Sequence, residues 1–400
     1  MAQSTFSRGT LTSTIQVKNK PAKLLSYLGA TRPSRNARPL IGVLEGTGIG
    51  TQVIGSALQV LDSIGQVTGI DFEVRRGALI GEDALTHFGQ WLPEEVVGFC
   101  SEIFRLGGAV LSGPGGGRYV YDLRRRFDLF SKFVPIQPLP ELAGAAKIVP
   151  SHLQGVDILL VRDNVGGVYQ GEERERITAR GRVAEHSFSY SEWEVQRIVE
   201  VAARSAADRR GGLHVIVKDG GIPGMSALWR EVGAVAARKH GVQASFMNID
   251  LMAYELIQNA SRFDVIVAPN LFGDILADIA GVLVSSRGVT FSGNFNAEGH
   301  GVFQTNHGSA HDLAGTDTAN PAGQILSLAM LLRESFGLPQ AAAIIEAALA
   351  EVWRQGFRTA DLAEPGCQIL GTSAITERFV QQILRQPEVK PSHETCAAAG

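Results

Sequence analysis

The chain has 400 residues, a formal charge of −3, and 44% hydrophobic and 19% charged residues, enough to bury a large core, and such a length usually divides into two domains. Without a basic excess no nucleic-acid partner is expected, and the apolar runs are broken by Gly, Asp or Arg well short of the roughly 20 residues that span a bilayer, so no membrane segment is expected either. Cys100, Cys367 and Cys396 stand at no metal-like spacing and read as thiols of a reducing, cytoplasmic compartment.

The first 44 residues contain seven Lys or Arg and no Asp or Glu. That bias admits a mitochondrial transit peptide. Gly29, Pro33 and Pro39 interrupt the segment, however, and residues 1–38 are expected to form an extension, flexible or in contact with another subunit. PLIGVLEG at 39–46 reads as a strand, and Gly48 and Gly50 turn the chain into the helix TQVIGSALQVLDSIG. GTGIG at 46–50 lacks the G-x-G-x-x-G spacing and the later acidic residue, which argues against a Rossmann domain. SGPGGGRYVYDL at 112–123 is either a turn or a glycine-rich loop that moves on substrate binding. Strand-then-helix alternation recurs through AVLSG, DILLVR, LHVIVKDG and DVIVAPN and predicts an α/β protein with a largely parallel sheet. In VIVAPNLFGDILADIAGVL at 265–283, Gly273 opens a helix after Asn270, and Asp274 and Asp278 fall on one face of it. Two acids so placed are either a solvated surface or a site for a hard cation such as Mg²⁺ or Mn²⁺. The tail 387–400 reads as flexible.

Taken together, these segments resemble the decarboxylating β-hydroxyacid dehydrogenases, the isocitrate/isopropylmalate dehydrogenase family. The run at 265–283 resembles the family's metal-binding segment. VRDNVGGVYQGEE at 161–173 resembles its R-E-x-T-G-G-x-Y-x-G segment, with Arg162 as a substrate-carboxylate ligand and Tyr169 as the catalytic tyrosine. Lys218 in VIVKDGG matches the catalytic lysine, and Asp250 in NIDLMAYELI the first metal aspartate. NHGSAHDLAGTDTANPAGQ, from Asn306, resembles the cofactor loop, with His307, Gly308, Asp312 and Asn320 as cofactor contacts.

The resemblance implies a two-domain, isopropylmalate dehydrogenase-like fold. Residues 39–129 and 289–386 would form a large domain with the cofactor loop, and 130–288 a small domain with the metal aspartates and the dimer interface. It implies a homodimer or larger homo-oligomer in which Lys218 and Asp250 serve the neighbouring subunit's site. The implied reaction is oxidation of a malate-like 2-hydroxy acid by NAD, with loss of CO₂ and with Mg²⁺ or Mn²⁺ held by Asp250, Asp274 and Asp278. Asp312 favours NAD, because a carboxylate accepts bonds from both ribose hydroxyls and repels a 2′-phosphate.

Several positions depart from the family pattern. Relatives grip the substrate carboxylates with three arginines. Arg124 keeps the first, but the second falls on Val134, with Lys132 two residues away as a partial replacement if the segment is a strand. Gly220, Gln304 and His311 replace a common Asn, Glu and Pro, and Tyr121 lies in the segment that sets substituent specificity. These changes predict an altered substrate side, or alternatively a non-catalytic, ligand-binding paralogue.

Overall fold

The computed structural model describes residues 20–31 and 38–386. The N-terminal extension 1–38, apart from 20–31 and 38, and the tail 387–400 lie outside them. In chain order, α1 (Leu24–Leu28) precedes β1 (Leu40–Leu44), α2 (Gly50–Thr68), β2 (Glu73–Arg76), α3 (Gly81–Phe88), α4 (Glu94–Arg105), β3 (Ala109–Ser112) and α5 (Tyr119–Arg126). Next come β4 (Ser131–Ile136), β5 (Ile158–Asp163), the hairpin β6 (Glu172–Thr178) and β7 (Gly181–Ser187), α6 (Glu192–Ala207), β8 (Gly212–Val217), α7 (Pro223–His240), β9 (Gln243–Asn248) and α8 (Ile249–Gln258). The chain continues through β10 (Val265–Ala268), α9 (Asn270–Leu283), β11 (Phe291–Phe295), β12 (Gly301–Thr305), α10 (Ala322–Glu334), α11 (Pro339–Arg354) and α12 (Thr372–Leu384).

Ten strands form one sheet in the order β2-β1-β3-β12-β11-β4-β5-β10-β8-β9. Its two wings are parallel, and β11 and β4 join them through antiparallel pairings. Wholly buried strands such as β1 and β10 are the continuous apolar runs expected when helices cover both faces of a sheet. The α/β reading and the largely parallel sheet hold, with β4 and β11 as the antiparallel seam.

Two local details refine the sequence reading. The first described part of the extension is folded: Leu24, Leu25 and Tyr27 enter the main core. Glu334 on α10 accepts from the Lys23 and Leu24 backbone N–H groups at 3.0 and 2.9 Å, and the Tyr27 hydroxyl donates to Asp208 after α6 at 2.6 Å. The second detail is the start of α9. The helix begins at Asn270, so Gly273 sits inside its first turn instead of opening it.

Candidate active site

The site lies where β4, β5, α5 and α9 meet. Arg162 leaves β5 fully buried. Its Nε and Nη2 donate to Asn270 Oδ1 at 3.2 and 2.8 Å, and Nη1 pairs with Asp274. A Cβ on Gly273 would stand 2.7 Å from Arg162 Cγ, so only glycine lets this side chain run past the helix. The Tyr169 hydroxyl donates to the other Asp274 oxygen at 2.9 Å. Tyr121 lies against Tyr169 with ring centroids 4.9 Å apart, and the Arg124 guanidinium is 5.9 Å from the Tyr121 centroid. Four residues singled out from sequence, Arg162, Tyr169, Tyr121 and Asp274, are thus in contact, with Arg124 beside them.

Lys132 joins this group. The antiparallel register places it directly opposite Arg162 across β4 and β5. It is 3% exposed, and burial, then Arg124 and Arg162, push its pKa well below the ordinary lysine value. Burial, and next to it Arg162, lowers Arg124 to about 9. Asp274 titrates below the usual carboxylate range: burial works against ionisation, but Arg162, Lys132, the Tyr169 bond and Arg124 outweigh it. Tyr169 is shifted the other way, because burial and then the Asp274 charge hold its proton in place.

Asp278 follows one turn after Asp274 and pairs with Arg287 at 3.2 Å. Asp250 does not join them. It lies in the first turn of α8 and pairs with Lys218 at 2.7 Å, Asp250 exposed and Lys218 half-buried. Among the described residues no three Asp, Glu, His or Cys side chains converge as a metal site within one chain. Lys218 also borders an apolar cavity of about 280 Å³ lined in part by Val168, Tyr190, Trp229 and Phe272.

The loop from Asn306 packs on the GTGIG turn. Ile49 N–H donates to Ser309 O at 2.9 Å, Thr47 and Ser309 hydroxyls meet at 2.7 Å, and a Cβ on Gly48 (φ 60) would collide with Ser309 O. The turn therefore seats a protein loop where a Rossmann turn would seat a pyrophosphate. Burial above all lowers the pKa of His307, and Arg287 and Asp278 are near enough to act on it, which ties the loop to the aspartate helix. Gly308 and Asp312 are exposed. The Asn320 amide is already committed, donating to Asp361 at 3.0 Å and accepting from Ala322 N–H at the start of α10.

Sequence reasoning missed Asn270, which holds Arg162, and Tyr190, whose hydroxyl accepts from Asn270 N–H at 3.0 Å and donates to Asp163 at 3.2 Å. Asn270 carried a signal in its place four residues before Asp274; Tyr190 carried none.

Fold and site define an α/β protein with a buried cluster of Arg124, Lys132 and Arg162 beside two carboxylates one turn apart on a helix. The isocitrate/isopropylmalate dehydrogenase family matches residues 40–379, and the chain belongs to that family. It is 37% identical over 358 residues to a 3-isopropylmalate dehydrogenase from Carboxydothermus hydrogenoformans, covering 86% of this chain and 94% of the relative. It is 35% identical over 360 residues to the 3-isopropylmalate dehydrogenase of Aquifex aeolicus, covering 86% and 97%. Among solved structures, an isocitrate dehydrogenase from Methylococcus capsulatus superposes with a TM-score of 0.76 at 27% identity, covering 87% of this chain and all of that one.

Proposed function

We propose that the protein oxidises a malate-like 2-hydroxy acid with NAD and a divalent metal, and that the product loses CO₂. The observation that carries this reading is the convergence of Arg162 and Tyr169 on the two oxygens of Asp274, one helical turn from Asp278, in a chain of this family. 3-Isopropylmalate, named for the relatives, is the first substrate to test.

Asp274 and Asp278 present hard oxygen donors at helical spacing and fit Mg²⁺ or Mn²⁺. Asp250 of a second copy would complete the set, because the same chain's Asp250 stands apart. A divalent ion bound there would act as a Lewis acid toward the hydroxyl and its neighbouring carboxylate, and NAD, received by the loop with His307, Gly308, Asp312 and Asn320, would accept the hydride. Arg124 and Arg162 would hold the substrate carboxylates through charge-assisted bonds. Lys218 of the second copy would take the hydroxyl proton as the hydride leaves the same carbon. Once the carboxylate departs as CO₂, Tyr169 would give its proton to the enolate carbon. The high pKa of Tyr169 suits this order of events, since the phenol keeps its proton until a strong carbon base arises beside it.

The experiment is NADH formation with Mn²⁺ across 3-isopropylmalate, isocitrate, homoisocitrate, tartrate and malate, with NADP and chelator controls. Turnover of at least one acid, lost on chelation, supports the reading. Metal-independent ligand binding with no NADH formed from any of them would leave a non-catalytic paralogue. The two-domain division, the dimer and a cytoplasmic location belong to this proposal; no described helix is long and apolar enough to cross a membrane.

A further inference from the structure

We propose that Lys132 is a specificity-determining residue whose amine, together with Arg124 and Arg162, holds the two carboxylates of a dicarboxylic substrate. The inference rests on the dehydrogenase reading for the identity of the site, but its geometry is independent of the reaction.

Lys132 and Arg162 are cross-strand partners, and like charges directly opposite one another destabilise a sheet unless something neutralises them. Among the described residues neither the Lys132 amine nor the Arg124 guanidinium has a hydrogen-bond acceptor or a carboxylate partner, and Arg124 Nε is buried with none. The nearby acids are committed. Asp274 serves Arg162 and Tyr169, and Asp278 pairs with Arg287. Three buried basic side chains thus converge beside Asp274, whose oxygens are already engaged, an imbalance that two ligand carboxylates would offset and a monocarboxylate would leave incomplete.

The next residue on the same strand face is Val134, packed in an apolar cluster with Leu160, Leu276 and Ala277. Side chains two apart on a strand emerge roughly 6.5–7 Å from each other. The basic contact therefore sits one such step earlier along β4 than an arginine at 134 would supply, and Val134 itself is closed into the core at 1% exposure.

The test uses the full chain with Mg²⁺, no NAD, and malonate as a dicarboxylate probe, read by calorimetry, alongside melting of the ligand-free proteins. Lys132→Met should bind malonate about ten- to a hundredfold more weakly, the worth of one charge-assisted contact. Lys132→Arg should stay within a few-fold of wild type. Ligand-free Lys132→Met should melt no lower than wild type, because the substitution removes a buried charge that repels Arg124 and Arg162. A ligand contact thus predicts weaker binding without lower stability, which a structural role would not give. Equal malonate affinity in wild type and Lys132→Met would overturn the proposal. So would a wild type that does not bind malonate, or a Lys132→Met variant that melts well below it. The dehydrogenase reading fails separately: malonate binding that depends on Lys132, with no NADH from any acid of the panel, would sink the reaction and leave the contact standing.

Discussion

Replacing Gly273 with alanine tests whether Arg162 is held where the proposed reaction needs it. In the first turn of α9 the added methyl would meet Arg162 Cγ at 2.7 Å, Cβ at 2.9 Å and Cδ at 3.2 Å. Arg162 has little room to yield, being fixed by two bonds to Asn270 and one to Asp274. Alanine favours a helix over glycine by about 1 kcal/mol, whereas overpacking costs about 1–3 kcal/mol. Stability should therefore change little, with a net loss of at most about 2 kcal/mol. Activity should change far more, because a displaced guanidinium would forfeit the proposed charged bond to substrate, worth about 1.5–3 kcal/mol, and disturb Asp274 with it. The expected fall in kcat/KM is about a hundredfold. Steady-state kinetics on the best substrate, with thermal melting as the fold control, measures both. A variant that melts higher and keeps its kcat/KM would refute the account of why glycine stands here.

With NAD and NADP compared at saturating substrate, kcat/KM should favour NAD by well over tenfold, and Asp312→Asn should narrow the ratio; equal efficiency in the wild type would remove Asp312 from the cofactor site. Val134→Arg would place a guanidinium in the apolar cluster around Leu160 and Leu276, beside cations that already lack partners. It should lower both activity and stability, the latter by about 2–4 kcal/mol, and a gain in 3-isopropylmalate or isocitrate turnover without further change would show that position 134 alone sets the clamp. His214 is held neutral to about pH 4 by burial first and then by Arg262, with Nδ1 2.6 Å from Ser245 Oγ. Its pKa is depressed in the folded state, so its contribution is present above pH 6.5 and lost as pH falls toward 4, up to about 3 kcal/mol. Urea titrations across that window should show the slope in wild type and a flatter one in His214→Phe; identical slopes would mean other groups govern acid sensitivity.

Much of the fold was legible because buried parallel strands must be continuous apolar runs, and β1, β8 and β10 fall where such runs were seen. The antiparallel seam was not, since β4 and β11 carry no mark of which neighbours they take. At the site, the contact of Tyr169 with Asp274 could be expected from the resemblance alone, and Lys132 only from the period-two rule once β4 was taken as a strand. The partners of Arg162 were hidden because Asn270 and Gly273 act through side-chain geometry, one by holding and the other by lacking a Cβ, and neither leaves a periodic trace. The folding of 20–31 onto α6 and α10 was missed for another reason. Its core contribution is only Leu24, Leu25 and Tyr27, too short a pattern to separate from a loose extension.

The separation of Lys218 and Asp250 from Asp274 within one chain gives the oligomer a functional test. α8 exposes Leu251 and Tyr254, and α9 exposes Ile275 and Val282, at 49%, 61%, 43% and 40%. Large apolar side chains grouped on two neighbouring helices suit a two-fold contact in which each copy meets the same face of the other. In such a pair Lys218 and Asp250 of one copy would complete the Tyr169–Asp274 site of the other. Lys218→Ala and Tyr169→Phe should each be nearly inactive alone. Mixed after unfolding and refolded together, half of the pairs would be hybrids, each with one site carrying both defects and one carrying neither, so activity should return to about a quarter of wild type. Sites confined to a single chain would give no recovery at any mixing ratio. A protein that sediments as a monomer while forming NADH at full rate would equally refute the shared site.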